Sequence, residues 1–114
     1  PLRIRPGGRT VALSEYGGIA WPMPGHEPPG KTYGYGTAKD KADLTKRYKM
    51  LQWKTILPQL GRGLSALVYT QLTDVEDEVN GLFTYDRAAL KPEAAAVRSC
   101  NAALAAEFAK ATAK

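Results

Sequence analysis

The pattern of apolar and polar positions divides the chain into alternating strands and helices. Val11-Ala12-Leu13 is an apolar run that ends in Ser14-Glu15 and breaks on Gly17-Gly18. A short buried strand over about residues 10–15 is expected, because glycine visits backbone angles that other residues avoid and so ends regular structure. From Gly17 to Gly36 prolines and glycines dominate, with Trp21, His26, Tyr33 and Tyr35 among them. A loop of that length is uncommon in a compact domain and is usually functional, and its aromatic residues suggest a lid or ligand wall. Thr37-Ala38-Lys39-Asp40 resembles a capping box and predicts a helix over about 38–60. Leu44, Tyr48, Leu51, Trp53, Ile56, Leu57 and Leu60 form its apolar stripe, and Pro58 and Gly61 lie at its end. Tyr48 and Trp53 are expected in the core.

Leu64 to Leu72 is nearly continuous in apolar or β-favouring residues, as a strand covered on both faces would be. An acidic loop follows, within a connection over 73–92, and Leu82 to Arg87 reads as a short hairpin or an irregular piece. Pro92-Glu93 and the alanines after it predict a helix over about 93–112, with Val97, Cys100 or Asn101, Leu104 and Phe108 on one stripe. Residues Pro1 to Arg9, rich in basic side chains, Pro and Gly, read as a loop leading into the first strand. The order is βαβα, which implies parallel strands joined by right-handed crossovers.

Composition narrows the chemistry. The chain has 114 residues, enough for one small core, with 44% hydrophobic and 24% charged residues. No apolar run approaches the roughly 18 residues of a membrane helix, so no membrane partner is expected. Cys100 is the sole cysteine and His26 the sole histidine, which disfavours disulfides and Cys/His zinc sites. The net charge of +5 raises nucleic acid as a partner, but Lys39, Lys41, Lys46, Arg47, Lys49 and Lys54 are interleaved with Asp40 and Asp43. That arrangement reads as a solvated helix face, and nucleic acid is not expected. No cofactor is expected either: Gly34-Tyr35-Gly36 lacks the residues of a phosphate loop, and the carboxylates of 74–78 lack the spacing of a calcium loop. Ser14 lacks the flanking glycines of a nucleophile elbow. Pro1 comes first and no charged-then-apolar leader is present, which fits Met removal, signal cleavage or truncation alike, so localisation stays open.

Glu15 is the main candidate for chemistry. At the carboxyl edge of parallel strands ligands and catalytic groups collect, so an acid there is a site candidate, against the plainer reading of a solvated turn residue. Ser14-Glu15-Tyr16-Gly17-Gly18, Lys31 to Gly36 and the long run Val68 to Arg87 together resemble the end of the catalytic domain in glycoside hydrolase family 2. The resemblance covers about Thr10 to Pro92. It implies an α/β fold, a βαβα fragment that corresponds to the last two units of a (β/α)8 TIM barrel. Glu15 then stands where the family has its nucleophile in retaining hydrolysis of β-galactoside-like sugars. The same resemblance suggests Tyr16 as a hydrogen-bond donor to Glu15 and Tyr69 as the aromatic floor of the sugar site. Asp74, Asn80, Trp21 and His26 become candidate contacts to sugar hydroxyls.

A second carboxylate about 5 Å from the nucleophile must protonate the leaving oxygen, and the family supplies it as a glutamate after an asparagine. No Asn-Glu pair occurs in this sequence. The chain is therefore expected to need the rest of the barrel and the preceding sandwich domains, to hydrolyse nothing alone, and to self-associate through open strand edges. The alternative is a non-catalytic carbohydrate- or protein-binding module.

Overall fold

A computed structural model describes residues 7–113, so the lead-in loop expected over 1–9 lies largely outside the described residues. The chain is a small mixed α/β domain of two parallel strands and three helices. Strand β1 spans Val11–Gly17 and pairs in parallel with β2, Leu64–Thr70. Between them run α1, Lys41–Met50, a π-helical stretch over Leu51–Ile56, and α2, Leu57–Leu60. The last element is α3, Ala94–Thr112. No helix among the described residues is long and apolar enough to cross a membrane.

The first helix starts three residues later than the capping-box pattern predicts. Asp40 is the N-cap and its carboxylate accepts from the Asp43 N–H at 2.8 Å, while Asp43 accepts from the Lys39 N–H at 3.0 Å. A carboxylate at each end of this reciprocal pair satisfies amides the helix leaves orphaned, a role Thr37 would otherwise take. Pro58 explains the wide turns that follow. It has no N–H and its ring would crowd the carbonyl four residues back, so the helix widens ahead of it, with the Leu57 N–H bonded to the Gln52 carbonyl five residues earlier.

Widening shifts the helical period and so changes which side chains face inward. Gln52 is buried, whereas Trp53, expected in the core, is 39% exposed. The main core is Ile56, Leu60 and Leu64, flanked by Val11, Leu13, Tyr16, Leu51, Leu57, Leu67 and Leu104. A second, smaller cluster packs Trp21, Ala38 and Leu44 under Ile19 and Met23. On α3, Cys100 is buried, but Phe108 is largely exposed.

Among the described residues, the sheet is covered on one face only. Leu13, Leu64 and Leu67 turn toward the helices, while Ala12, Ser14, Ala66 and Val68 are exposed. This corrects the expectation that Leu64 to Leu72 is a strand covered on both sides, and β2 stops at Thr70. Register also departs from simple alternation: Leu13 pairs with Leu67 and Tyr16 with Tyr69, so Ser14 and Glu15 together oppose Val68 alone. An extra residue on one strand is a bulge, and it lets two successive side chains leave the sheet on the exposed side. Each strand keeps one unpaired edge among the described residues. At millimolar concentration, light scattering should therefore report dimers or larger species, and Val68→Lys should shift the population toward monomer. A compact wild-type monomer would contradict this.

Candidate functional site

Glu15 sits at the carboxyl edge of β1, exposed, beside an open depression of about 260 Å³ lined by Glu15, Tyr16, Gly17, Gly18, Tyr35 and Thr70. The glycines form its floor for a steric reason. Gly17 and Gly18 have φ of 106° and 68°, and a Cβ would meet the Tyr69 ring at 2.6 Å from Gly17 and the Tyr35 ring at 2.8 Å from Gly18. Only glycine accepts both the backbone angle and the close approach. The Gly18 N–H donates to the Thr70 carbonyl at 2.8 Å, which ties the end of β1 to the end of β2.

The structure separates the candidates into those near Glu15 and those that build the scaffold. Tyr16 lines the depression, but its hydroxyl donates to Gln52 Oε1 at 3.2 Å, in the helix layer. The bulge is the cause: it sends Glu15 outward and returns Tyr16 inward, so Tyr16 is not the donor to Glu15. Tyr69 likewise turns toward the helices. Its ring meets Tyr16 and Tyr48 edge-on, each with a centroid distance of 5.4 Å, and Thr70 takes its place in the depression. Burial raises the Tyr16 and Tyr69 phenols above the ordinary value and pushes Tyr48 up to about 12. All three stay neutral near pH 7 and serve as packing groups.

Trp21, Asp74 and Asn80 are also interior. The Trp21 side chain belongs to the second core cluster. Asn80 is 1% exposed; its Oδ1 accepts from Gln71 Nε2 at 2.7 Å and its Nδ2 donates to Glu78. Asp74 forms an ion pair with Lys91 at 2.7 Å, with side-chain exposures of 2% and 0%. The same Asp74 oxygen accepts from the Gly81 N–H at 2.7 Å. Lys91 Nζ donates further to the Trp21 carbonyl at 3.0 Å and the Val79 carbonyl at 2.9 Å, so all three ammonium donors are used. Burial pushes Asp74 up and Lys91 down, while their mutual attraction opposes both shifts.

Nothing in the amino-acid pattern marked Lys91, yet it joins the loop after β1, the loop after β2 and the entry to α3. Backbone bonds reinforce the join: Trp21 N–H to Val79 O at 2.8 Å, Tyr33 N–H to Asp77 O at 2.6 Å and Val79 N–H to Tyr33 O at 3.0 Å. The loop over 17–36 is thus pinned as a wall. His26 clips its tip: Nδ1 lies 2.7 Å from Asp86 Oδ2, on the turn between Thr84 and Ala88. Residues 82–87 form that turn and one arm of a single antiparallel bridge, Phe83 to Leu90, with the Thr84 N–H bonded to the Ala89 carbonyl at 3.0 Å and the Lys91 N–H to the Leu82 carbonyl at 2.7 Å. The site residue that sequence reasoning left out of its candidate set is Tyr35. Its signal was an aromatic flanked by Gly34 and Gly36 in a loop already suspected as a ligand wall.

Among the described residues, no group of three or more His, Cys, Asp or Glu side chains converges on a metal-sized site. No known protein family model matches the chain, and no curated protein matches it.

Two measurements follow from the scaffold. Lys91→Met strands a buried carboxylate and two carbonyls, and should lower unfolding stability by about 3–5 kcal/mol in urea titrations. Asp74→Asn keeps an acceptor for Gly81 but leaves the Lys91 ammonium buried without its counter-charge, and should cost a comparable amount; a Lys91→Met loss under about 1 kcal/mol would refute the role. Second, Asp86 is held well below the usual carboxylate range by the Thr84 hydroxyl, the Ala88 N–H and His26. A folded value below the unfolded one of about 3.9 means its stabilisation is complete above that value and fades only as the pH falls through the depressed one. The Ala88 amide resonance should therefore hold its position well below pH 4, and a midpoint near pH 4 would rule the arrangement out.

Proposed function

We propose that the chain is the closing βαβα segment of a retaining β-glycosidase barrel, of the glycoside hydrolase family 2 type, with Glu15 as the nucleophile carboxylate. The observation that carries this reading is the bulge that delivers Glu15, exposed, into a depression at the carboxyl edge of a parallel sheet. Two features of the sheet support it. One face packs on helices while the other presents Ala12, Ser14, Ala66 and Val68 uncovered, as strands closing a barrel would present their inner faces. The depression, at about 260 Å³, is smaller than the roughly 300 Å³ at which small-ligand pockets usually begin, as one wall of a larger site would be.

In this reading Glu15 attacks the anomeric carbon of a β-galactoside-like sugar, forming a glycosyl ester while the leaving oxygen takes a proton. Water then attacks the ester, gives up a proton to the same acid/base, and releases the sugar with Glu15 as carboxylate. Glu15 suits attack because it is free of ion pairs among the described residues and stands on a strand end tied to its neighbour. The acid/base would come from barrel segments outside these 114 residues, so the chain has no mechanism alone.

The test starts from the reading frame upstream of Pro1. Expression of the longer frame, then treatment with a 2-deoxy-2-fluoro-glycosyl fluoride, should place the covalent label on the peptide that carries Glu15. Glu15→Gln should lower aryl β-glycoside turnover about a thousandfold or more, and the 114-residue chain should match its own Glu15→Gln control. A label on another residue, or turnover retained in Glu15→Gln, overturns the proposal.

A further inference from the structure

Tyr35 combines two properties that rarely occur together: its ring is 70% exposed, and its backbone is held from two sides. The Tyr35 N–H donates to the Gly18 carbonyl at 3.1 Å, and Gly18 is itself bonded to the end of β2. Two residues earlier, Tyr33 is pinned through its N–H and carbonyl to Asp77 and Val79. The two rings meet edge to face at 5.6 Å and 72°, so Tyr33, itself 49% exposed, braces Tyr35. Tyr35 lies down on the Gly18 backbone, where a Cβ would come within 2.8 Å of its Cδ2. One side of the ring is thus supported by the depression's floor and the rest faces water, next to Glu15.

An aromatic ring in water gains nothing for the core. The inward-facing tyrosines Tyr16, Tyr48 and Tyr69 already form the packing cluster. What a rigid exposed ring offers is a flat apolar surface ordered in advance, with only two side-chain torsions to fix on binding. Its complement must be flat and apolar on one side and tolerant of a carboxylate close by. A pyranose fits both demands, since its axial C–H groups form an apolar face while its hydroxyls line the rim and can donate to Glu15.

We infer that Tyr35, braced by Tyr33, is a stacking platform for a pyranose ring at the lip of the Glu15 depression. The inference rests on the proposed sugar site and adds to it the residue that sets how the ring lies. The phenol hydroxyl has no part in the stacking, so the ring alone determines the contact.

The test uses the 114-residue chain and methyl β-galactopyranoside, with saturation-transfer NMR from the aromatic protons to the sugar. The wild-type chain should transfer most strongly to the sugar's axial ring protons. Tyr35→Ala should weaken binding about tenfold, whereas Tyr35→Phe should keep it within about twofold; a wild-type amide spectrum elsewhere establishes that each variant is folded. Transfer lost in Tyr35→Ala and kept in Tyr35→Phe supports the platform whatever Glu15 does. No transfer to the wild-type chain, or transfer unchanged in Tyr35→Ala, overturns it. Covalent labelling of Glu15 alongside unchanged transfer would leave the nucleophile reading standing and remove only the platform.

Discussion

The ammonium of Lys91 is the group on which the candidate site depends. It lies fully inside, bonded to one carboxylate and two carbonyls that come from different loops. A buried charge is tolerable only when its partners are all in place, because an unpaired one costs several kcal/mol of desolvation. The two loops that supply those partners, and the entry to α3 that carries Lys91, must therefore adopt one arrangement together. Gly81 takes part as well: its N–H reaches the same carboxylate, and it packs so closely on Asp74 that a side chain there would collide with the backbone.

That polar knot substitutes for apolar packing in a region that has little of it. The loops after β1 and β2 carry prolines, glycines and acids, and their hydrophobic cluster reduces to Trp21, Ala38 and Leu44 with two neighbours. Backbone bonds between Trp21, Tyr33, Asp77 and Val79 extend the knot outward to the Glu15 depression. The result is a wall held in place from behind, with His26 and Asp86 clipping its far end. Pre-positioning of this kind would serve the proposed nucleophile, since small displacements from a productive geometry cost large factors in rate.

The sheet itself divides by face. Helix-side residues are large and apolar, and the opposite side is small or polar apart from Val68. Under the proposed function, that second face would line the interior of a complete barrel.

Element order, the parallel pairing and the exposed acid at the end of the first strand were legible in the amino-acid pattern, because each depends on local periodicity and on Gly17-Gly18. The helix start differs from the pattern, since Thr37 and Asp40 both qualify as caps and only the folded chain selects between them. A constant 3.6-residue period places Trp53 in the core, but the wider turn that Pro58 forces turns it outward. The resemblance implies Tyr16, Tyr69, Asp74 and Asn80 at the site. Sequence determines that these residues sit near a strand end; which side of the sheet each one faces depends on the Ser14-Glu15 bulge and on Lys91 reaching back across 17 residues to Asp74. Both are products of tertiary packing. A bulge arises only when two strands are paired, and a buried ion pair only when its loops are already together, so neither leaves a local trace in the chain.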